Sequence, residues 1–209
     1  MPRGTPSTMR RTSCKTRTVR ASPTSSSATP AEASDAYARD MPLHHVAYVT
    51  KDCEATRHFY EDLMGFPLQY TETTVHPETG SWIRHMFFSI GPDEAGKEEA
   101  IAFFEVHNVG EKPDYTTDLS DGVGLPVWVN HVAFRATAEM QDGLRARMDA
   151  AGIKPLMDMD HGWCHSLYYV DPNGIMVEFC RDTPGFTPDP AEARRLLTAD
   201  PLANAVKTR

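Results

Sequence analysis

The sequence has no apolar run approaching the roughly 20 residues that a membrane-spanning helix needs, so no membrane partner is expected. Cysteine is sparse: Cys14, Cys53, Cys164 and Cys180 are scattered, with no CxxC pair. That excludes a disulfide framework and points to a reducing compartment. Phosphate loop, nucleophile elbow and dinucleotide fingerprint are all missing. The one GxG, Gly122-Val123-Gly124, lacks both a third glycine and a strand-turn-helix setting. Acid is missing from residues 1–30, which hold Arg3, Arg10, Arg11, Lys15, Arg17 and Arg20. That stretch carries +6 in a chain of net charge −8, which leaves −14 on the other 179 residues. An acidic body argues against nucleic acid, whose affinity comes mainly from neutralised phosphates.

Residues 1–40 are rich in Ser, Thr, Pro, Ala and Arg and almost free of large apolar side chains. They cannot bury enough surface to offset ordering entropy, and disorder is expected. The stretch has the composition of an organelle transit peptide. It is equally the product of an upstream start in front of a domain that begins near Met41. The expected location is cytoplasmic, with organelle import as the lesser alternative.

What is present is a repeat. His45-Val46-Ala47-Tyr48 returns 86 positions later as His131-Val132-Ala133-Phe134. Each copy runs into a helix-like stretch and then a glycine, Gly65 or Gly152. The first copy (41–108) reads as strand 43–50, a helix capped by Asp52 with Ala55, Phe59, Leu63 and Met64 on its apolar stripe, and strands 66–73, 82–90 and 100–107. The second (128–182) reads as strand 129–136, helix 138–151 with Met140, Leu144 and Met148 on one face, and strands 153–159, 164–170 and 175–180. Asp171-Pro172-Asn173-Gly174 is a strong turn signal before the last strand. The order βαβββ thus occurs twice. A polar linker (109–127) joins the copies, and a tail (183–209) follows, with a short helix started by Asp189-Pro190 and carrying Leu196 and Leu197.

Strand alternation sorts side chains between faces. Val46 and Tyr48, like Val132 and Phe134, form the set that packs on a helix, so His45 and His131 take the opposite, concave face. Val177 and Phe179 read as core, which puts Glu178 on the concave face. By the same reading Phe104 and Val106 go to the core and Glu105 faces the cup. Two histidines and a carboxylate on one concave surface suit a divalent metal. Adjacent His44 competes with His45, since a one-residue register slip would exchange them. Glu105 is either a fourth ligand or a carboxylate that orients one. Cys164 and Cys180 read as packing residues. Trp82, Phe87, Trp128, Trp163 and Tyr169 are candidates for an apolar wall, and core packing accounts for at least half of them.

The segments LHHVAYVTKDCEATRHFYEDLMGF, VNHVAF and SLYYVDPNGIMVEFC resemble the vicinal oxygen chelate superfamily, which includes glyoxalases, bleomycin resistance proteins and extradiol dioxygenases. The resemblance covers roughly residues 43–181. It implies an α+β fold of two tandem βαβββ modules forming a cup-shaped mixed sheet around a metal cleft, with helices on the outer face. It implies one divalent metal, with the family's ligands matching His45, His131 and Glu178. Members often form homodimers and act on small molecules.

With three protein ligands the site resembles Fe(II) extradiol dioxygenases, which cleave catechol-like or vicinal-oxygen substrates. In that branch a histidine after a strand and a tyrosine three residues before the Asp-Pro turn act on the substrate. Tyr168 matches the tyrosine. His161 matches the histidine at a spacing two residues short, with His165 as the alternative. Most ring-cleaving relatives have four modules, and this chain has two. With Glu105 as fourth ligand the site resembles a glyoxalase-type lyase, isomerase or epimerase using Zn, Ni, Co or Mn. A metal-free drug-binding resistance protein is a further alternative, against which a full set of ligand-type residues argues. The expectation is an Fe(II) dioxygenase.

Overall fold

A computed structural model describes residues 42–200; the expected disorder of 1–40 lies outside the described residues. The first module runs β1 (His45–Thr50), α1 (Cys53–Arg57) continued by a π-helical segment (His58–Leu63), β2 (Leu68–His76), β3 (Ser81–Pro92) and β4 (Glu98–His107). A short helix, α2 (Leu119–Gly122), sits in the connection. The second module runs β5 (His131–Arg135), α3 (Ala138–Ala150), β6 (Met157–Asp160), β7 (Cys164–Val170) and β8 (Met176–Asp182), and α4 (Pro190–Leu197) follows. The fold is α+β, built of two tandem βαβββ modules. Each forms a four-stranded sheet, β1-β4-β3-β2 and β5-β8-β7-β6, and β1 and β5 are therefore edge strands.

Local chemistry explains the boundaries. Asp52 accepts from the Ala55 amide and caps α1, and Thr137 does the same for α3 through the Met140 amide. Gly65 (φ 82°) and Gly152 (φ 75°) end the helical stretches in the left-handed conformation. Each β1/β4 and β5/β8 pair is parallel, as expected when a helix and two further strands separate the partners.

The helix-facing sides of both sheets share one core. Phe59, Tyr60, Phe88, Ile101 and Phe103 from the first module pack with Phe134, Leu144, Leu167, Val177 and Phe179 from the second. Val46, Tyr48 and Val132 pack against the same cluster. The modules are also tied by polar contacts. Tyr60 donates to Asp171 Oδ2 at 3.0 Å, Asn173 Nδ2 to Thr56 Oγ1 at 3.2 Å, and Arg147 Nε to the Leu63 carbonyl at 2.7 Å.

The Asp171–Gly174 turn sets the β7/β8 register. Asp171 Oδ1 accepts from the Asn173 and Ile175 amides, both at 2.8 Å. Gly174 has φ 82°, and a Cβ there would lie 2.6 Å from Cβ of Asp118, so only glycine fits. The resulting register places Tyr168 directly opposite Glu178.

Register overturns one expected face. Ile101 pairs with Val46, Phe103 with Tyr48, and Glu105 with Thr50. Thus Ile101 and Phe103, both fully buried, are the core residues of β4. Phe104 and Val106 do not face the core, and Glu105 lies on the helix side, away from the face of His45. The sequence misled because Ala102-Phe103-Phe104 is apolar throughout, and alternation has no contrast to read there.

Candidate metal centre

In the second module the expected residues meet. His131 starts β5 beside Met176, and Glu178 is two positions further along β8 on the same face. His131 Nε2 and Glu178 Oε2 are 3.0 Å apart. His131 Nδ1 donates to the Trp128 carbonyl at 2.9 Å, which leaves Nε2 as the ligand atom. Ser166 Oγ donates to the other carboxylate oxygen of Glu178. Both side chains are therefore held from behind. Two ligand atoms about 3 Å apart match the edge of an octahedron with bonds of about 2.1 Å, so this pair fits a divalent ion.

Tyr168 flanks the pair. Its ring lies 6.4 Å from that of His131. Its hydroxyl and His161 Nε2 share a hydrogen bond of 2.8 Å. Burial pushes the Tyr168 pKa above its ordinary value, so the hydroxyl keeps its proton at neutral pH. His165 is elsewhere: its Nε2 sits 3.1 Å from Asp158, and it lines a separate cavity with Arg135, Arg181 and Thr137. Of the two histidines weighed for this role, only His161 meets Tyr168.

Cys164 and Cys180 lie on the same face as Glu178. Their ligand atoms and that of Glu178 lie within 4.8 Å of one another, the one such triplet of ligand-type residues among those described. Burial first, then its neighbour Cys164, pushes the Cys180 thiol up to about 11, so it packs as a neutral thiol. Tight grouping of His45, His131 and Glu178 is therefore not found within one chain.

In the first module His45 lies on the face of β1 turned away from the helix, exposed, with the His44 and His45 Nδ1 atoms 2.7 Å apart. Around it stand Phe87 (5.4 Å between ring centroids) and His85 (6.0 Å). Glu105 faces elsewhere, as the register requires. Its Oε2 accepts from Arg84 Nη1 at 2.6 Å and from the Cys53 thiol at 3.0 Å, and Oε1 lies 3.0 Å from His107 Nε2. It is also not the repeat equivalent of Glu178. Glu178 is two positions beyond the partner of His131, whereas Glu105 is five beyond Ala100, the partner of His45. The equivalent position is Ala102.

The aromatic wall divides accordingly. Phe87 shares the His45 face, whereas Trp82 stacks on His107 at 3.9 Å, on the Glu105 side. Tyr169 is fully buried in the core. Trp128 and Trp163 are exposed. Sequence reading missed three residues at these faces. Ser166 was legible, since it sits two residues before Tyr168 on a strand. His85 was not, because both faces of β3 are apolar, and Glu72 was not, because β2 is largely polar and gives an acid no contrast.

A family profile agrees with this architecture. The profile of the Glyoxalase/Bleomycin resistance protein/Dioxygenase superfamily matches residues 42–179. No curated protein matches. Solved structures similar to this chain include the genomically encoded fosfomycin resistance protein FosX from Listeria monocytogenes, at 21% identity, 69% of this chain, 95% of that chain and a TM-score of 0.45. A glyoxylase/bleomycin resistance protein/dioxygenase domain from Frankia sp. EAN1pec is 16% identical over 70% of this chain and 95% of its own, with a TM-score of 0.47. A glyoxalase/dioxygenase from Nostoc punctiforme is 18% identical over 77% and 99%, with a TM-score of 0.46.

Proposed function

The chain belongs to the Glyoxalase/Bleomycin resistance protein/Dioxygenase superfamily, and within it we propose a divalent-metal enzyme with three protein ligands, an Fe(II) dioxygenase acting on a catechol-like or vicinal-oxygen small molecule. The observation that carries this reading is the pairing of His131 Nε2 with Glu178 Oε2 at 3.0 Å, each oriented from behind, beside the Tyr168–His161 hydrogen bond. The four-ligand lyase or isomerase reading loses its fourth ligand, because Glu105 is engaged by Arg84, Cys53 and His107 on the other side of its sheet.

The third ligand is His45 of a second copy. Both β1 and β5 are open edges, and the outward Ala47 and Ala133 on them are exposed. An edge strand with free amides and carbonyls is a template for another chain. A two-fold dimer that sets β1 of one copy beside β5 of the other uses the same surface twice. It brings each His45 toward the opposite His131 and Glu178.

A metal at this site supplies Lewis acidity and a place where substrate oxygens and dioxygen meet. The chain's own residues do the rest. Glu178 and His131 bring one negative charge and one neutral nitrogen to the ion. Tyr168, kept protonated, donates its hydroxyl to a substrate oxygen. His161 Nε2 donates to the oxygen of the same hydroxyl, which orients it and leaves the one Tyr168 proton for the substrate oxygen.

The test is to load the full chain anaerobically with Fe(II), Mn(II), Zn(II) or Ni(II), measure metal per chain, and follow oxygen uptake on catechol and 3-methylcatechol. Uptake with the Fe(II) form, lost in His131→Ala and Glu178→Ala, is expected. Stoichiometric Zn or Ni in protein as isolated, with no uptake by any form, overturns the dioxygenase reading.

A further inference from the structure

The outer face of the first module holds a buried polar atom with no partner. His85 is 7% exposed, and its Nε2 has no hydrogen-bond partner. Buried side-chain nitrogens almost always find one. The face is fixed by register: Glu72 pairs with His85, His85 with Phe104, and Phe104 with Val49, which shares the side of His45 on β1. The ring is clamped in place. It stacks on Phe104 at 3.6 Å and 14°, and Phe87 covers it at 4.0 Å. Glu72 Oε1 stands 3.6 Å from Nδ1. A carboxylate on that side favours the tautomer with the proton on Nδ1, so Nε2 presents a lone pair.

We infer that His85 Nε2 is a substrate-reading acceptor: it takes a hydrogen bond from a hydroxyl of the small molecule bound beside His45, and Phe87, which lies against His45, packs on that molecule's planar body. This rests on the proposed function, because it places the substrate at the His45 face. His45 is edge-on to both His85 and Phe87. A planar molecule with an O–H donor adjacent to its metal-binding oxygen meets both requirements. An aliphatic ligand without a hydroxyl meets neither.

The experiment uses the full chain loaded with Co(II), and 4-nitrocatechol as the probe. Its absorbance reports binding, and the cobalt spectrum reports the metal independently. His85→Phe keeps the ring and its stacking but removes the acceptor, and His85→Asn keeps an acceptor. The expected result is a Kd for 4-nitrocatechol raised about tenfold in His85→Phe, which is the loss of one hydrogen bond. Recovery in His85→Asn is expected, with the cobalt spectrum and stoichiometry of the wild type throughout. A His85→Phe Kd within twofold of wild type overturns the inference and leaves the proposed function standing. A lowered melting temperature with no change in Kd does the same, since that marks a structural residue. Failure of the cobalt-loaded wild type to bind 4-nitrocatechol overturns the catechol reading and the inference with it.

Discussion

His131 Nε2 and Glu178 Oε2 lie 3.0 Å apart across the β5/β8 pair, on the face they share with Tyr168. The Trp128 carbonyl and the Ser166 hydroxyl hold the far sides of the two groups. Both groups are therefore already aimed at the place a cation would take.

Removing either group should abolish metal binding, whereas removing Glu105 should not. Elemental analysis is expected to give below about a tenth of the wild-type metal for Glu178→Ala and His131→Ala, and wild-type content for Glu105→Ala. Ser166→Ala should bind metal about tenfold more weakly, because it loses a group that orients a ligand. Metal loss in Glu105→Ala would revive the four-ligand arrangement.

A site shared between two copies predicts complementation. His45→Ala and Glu178→Ala should each be inactive alone. Mixed after unfolding and refolding, they should recover about a quarter of wild-type activity. Half of the dimers are then mixed, and each mixed dimer has one site with both residues intact. No recovery, with dimers confirmed by light scattering, rules out the shared site.

The Arg84–Glu105 pair predicts a pH-dependent stability. Burial pushes the Glu105 carboxyl up, but hydrogen bonds from Cys53 and His107 and the Arg84 charge outweigh it and leave the pKa lowered. A carboxyl lowered in the folded state stabilises the fold when ionised. That contribution is complete above the ordinary glutamate value of about 4.3 and is lost as pH falls through the lower folded value. Arg84 is 41% exposed, so solvent screens the pair and it contributes about 1 kcal/mol. Glu105→Gln should lower the melting temperature at pH 6 and flatten its fall below pH 4.3. A variant whose acid limb matches wild type would contradict this.

Thiol chemistry should be slow at two of the cysteines. Burial, followed by the Glu105 contact, pushes Cys53 to about 11, and Cys180 also reaches about 11. The thiolate is the reactive form. Iodoacetamide at pH 8, with peptide mapping, should leave both unlabelled in the folded protein, and denaturation should expose them.

Much of this was legible along the chain. The repeated His-Val-Ala and the paired glycines gave two βαβββ modules. Val177 and Phe179 framed Glu178 clearly, because an acid between two large apolar residues has one face to go to. The run Ala102-Phe103-Phe104 offered no such contrast, and Glu105 went to the wrong side. A change of one position in register moves every side chain on a strand to the other face. His85 was silent for the same reason: Ile83, Phe87, Met86 and Phe88 make both faces of β3 apolar.

The sequence by itself determined the two modules and their order, and it named His131, Glu178 and Tyr168 as candidates. These follow from local rules: alternation, capping and the Asp-Pro-Asn-Gly turn, all of which act within a few residues. Tertiary structure alone decided what those residues can reach. It turned Glu105 to Arg84, joined His161 to Tyr168, and made no tight group of His45, His131 and Glu178 within one chain. Such pairings depend on how strands from distant parts of the chain register and how two modules share a core. Alternation along a single strand carries no information about either.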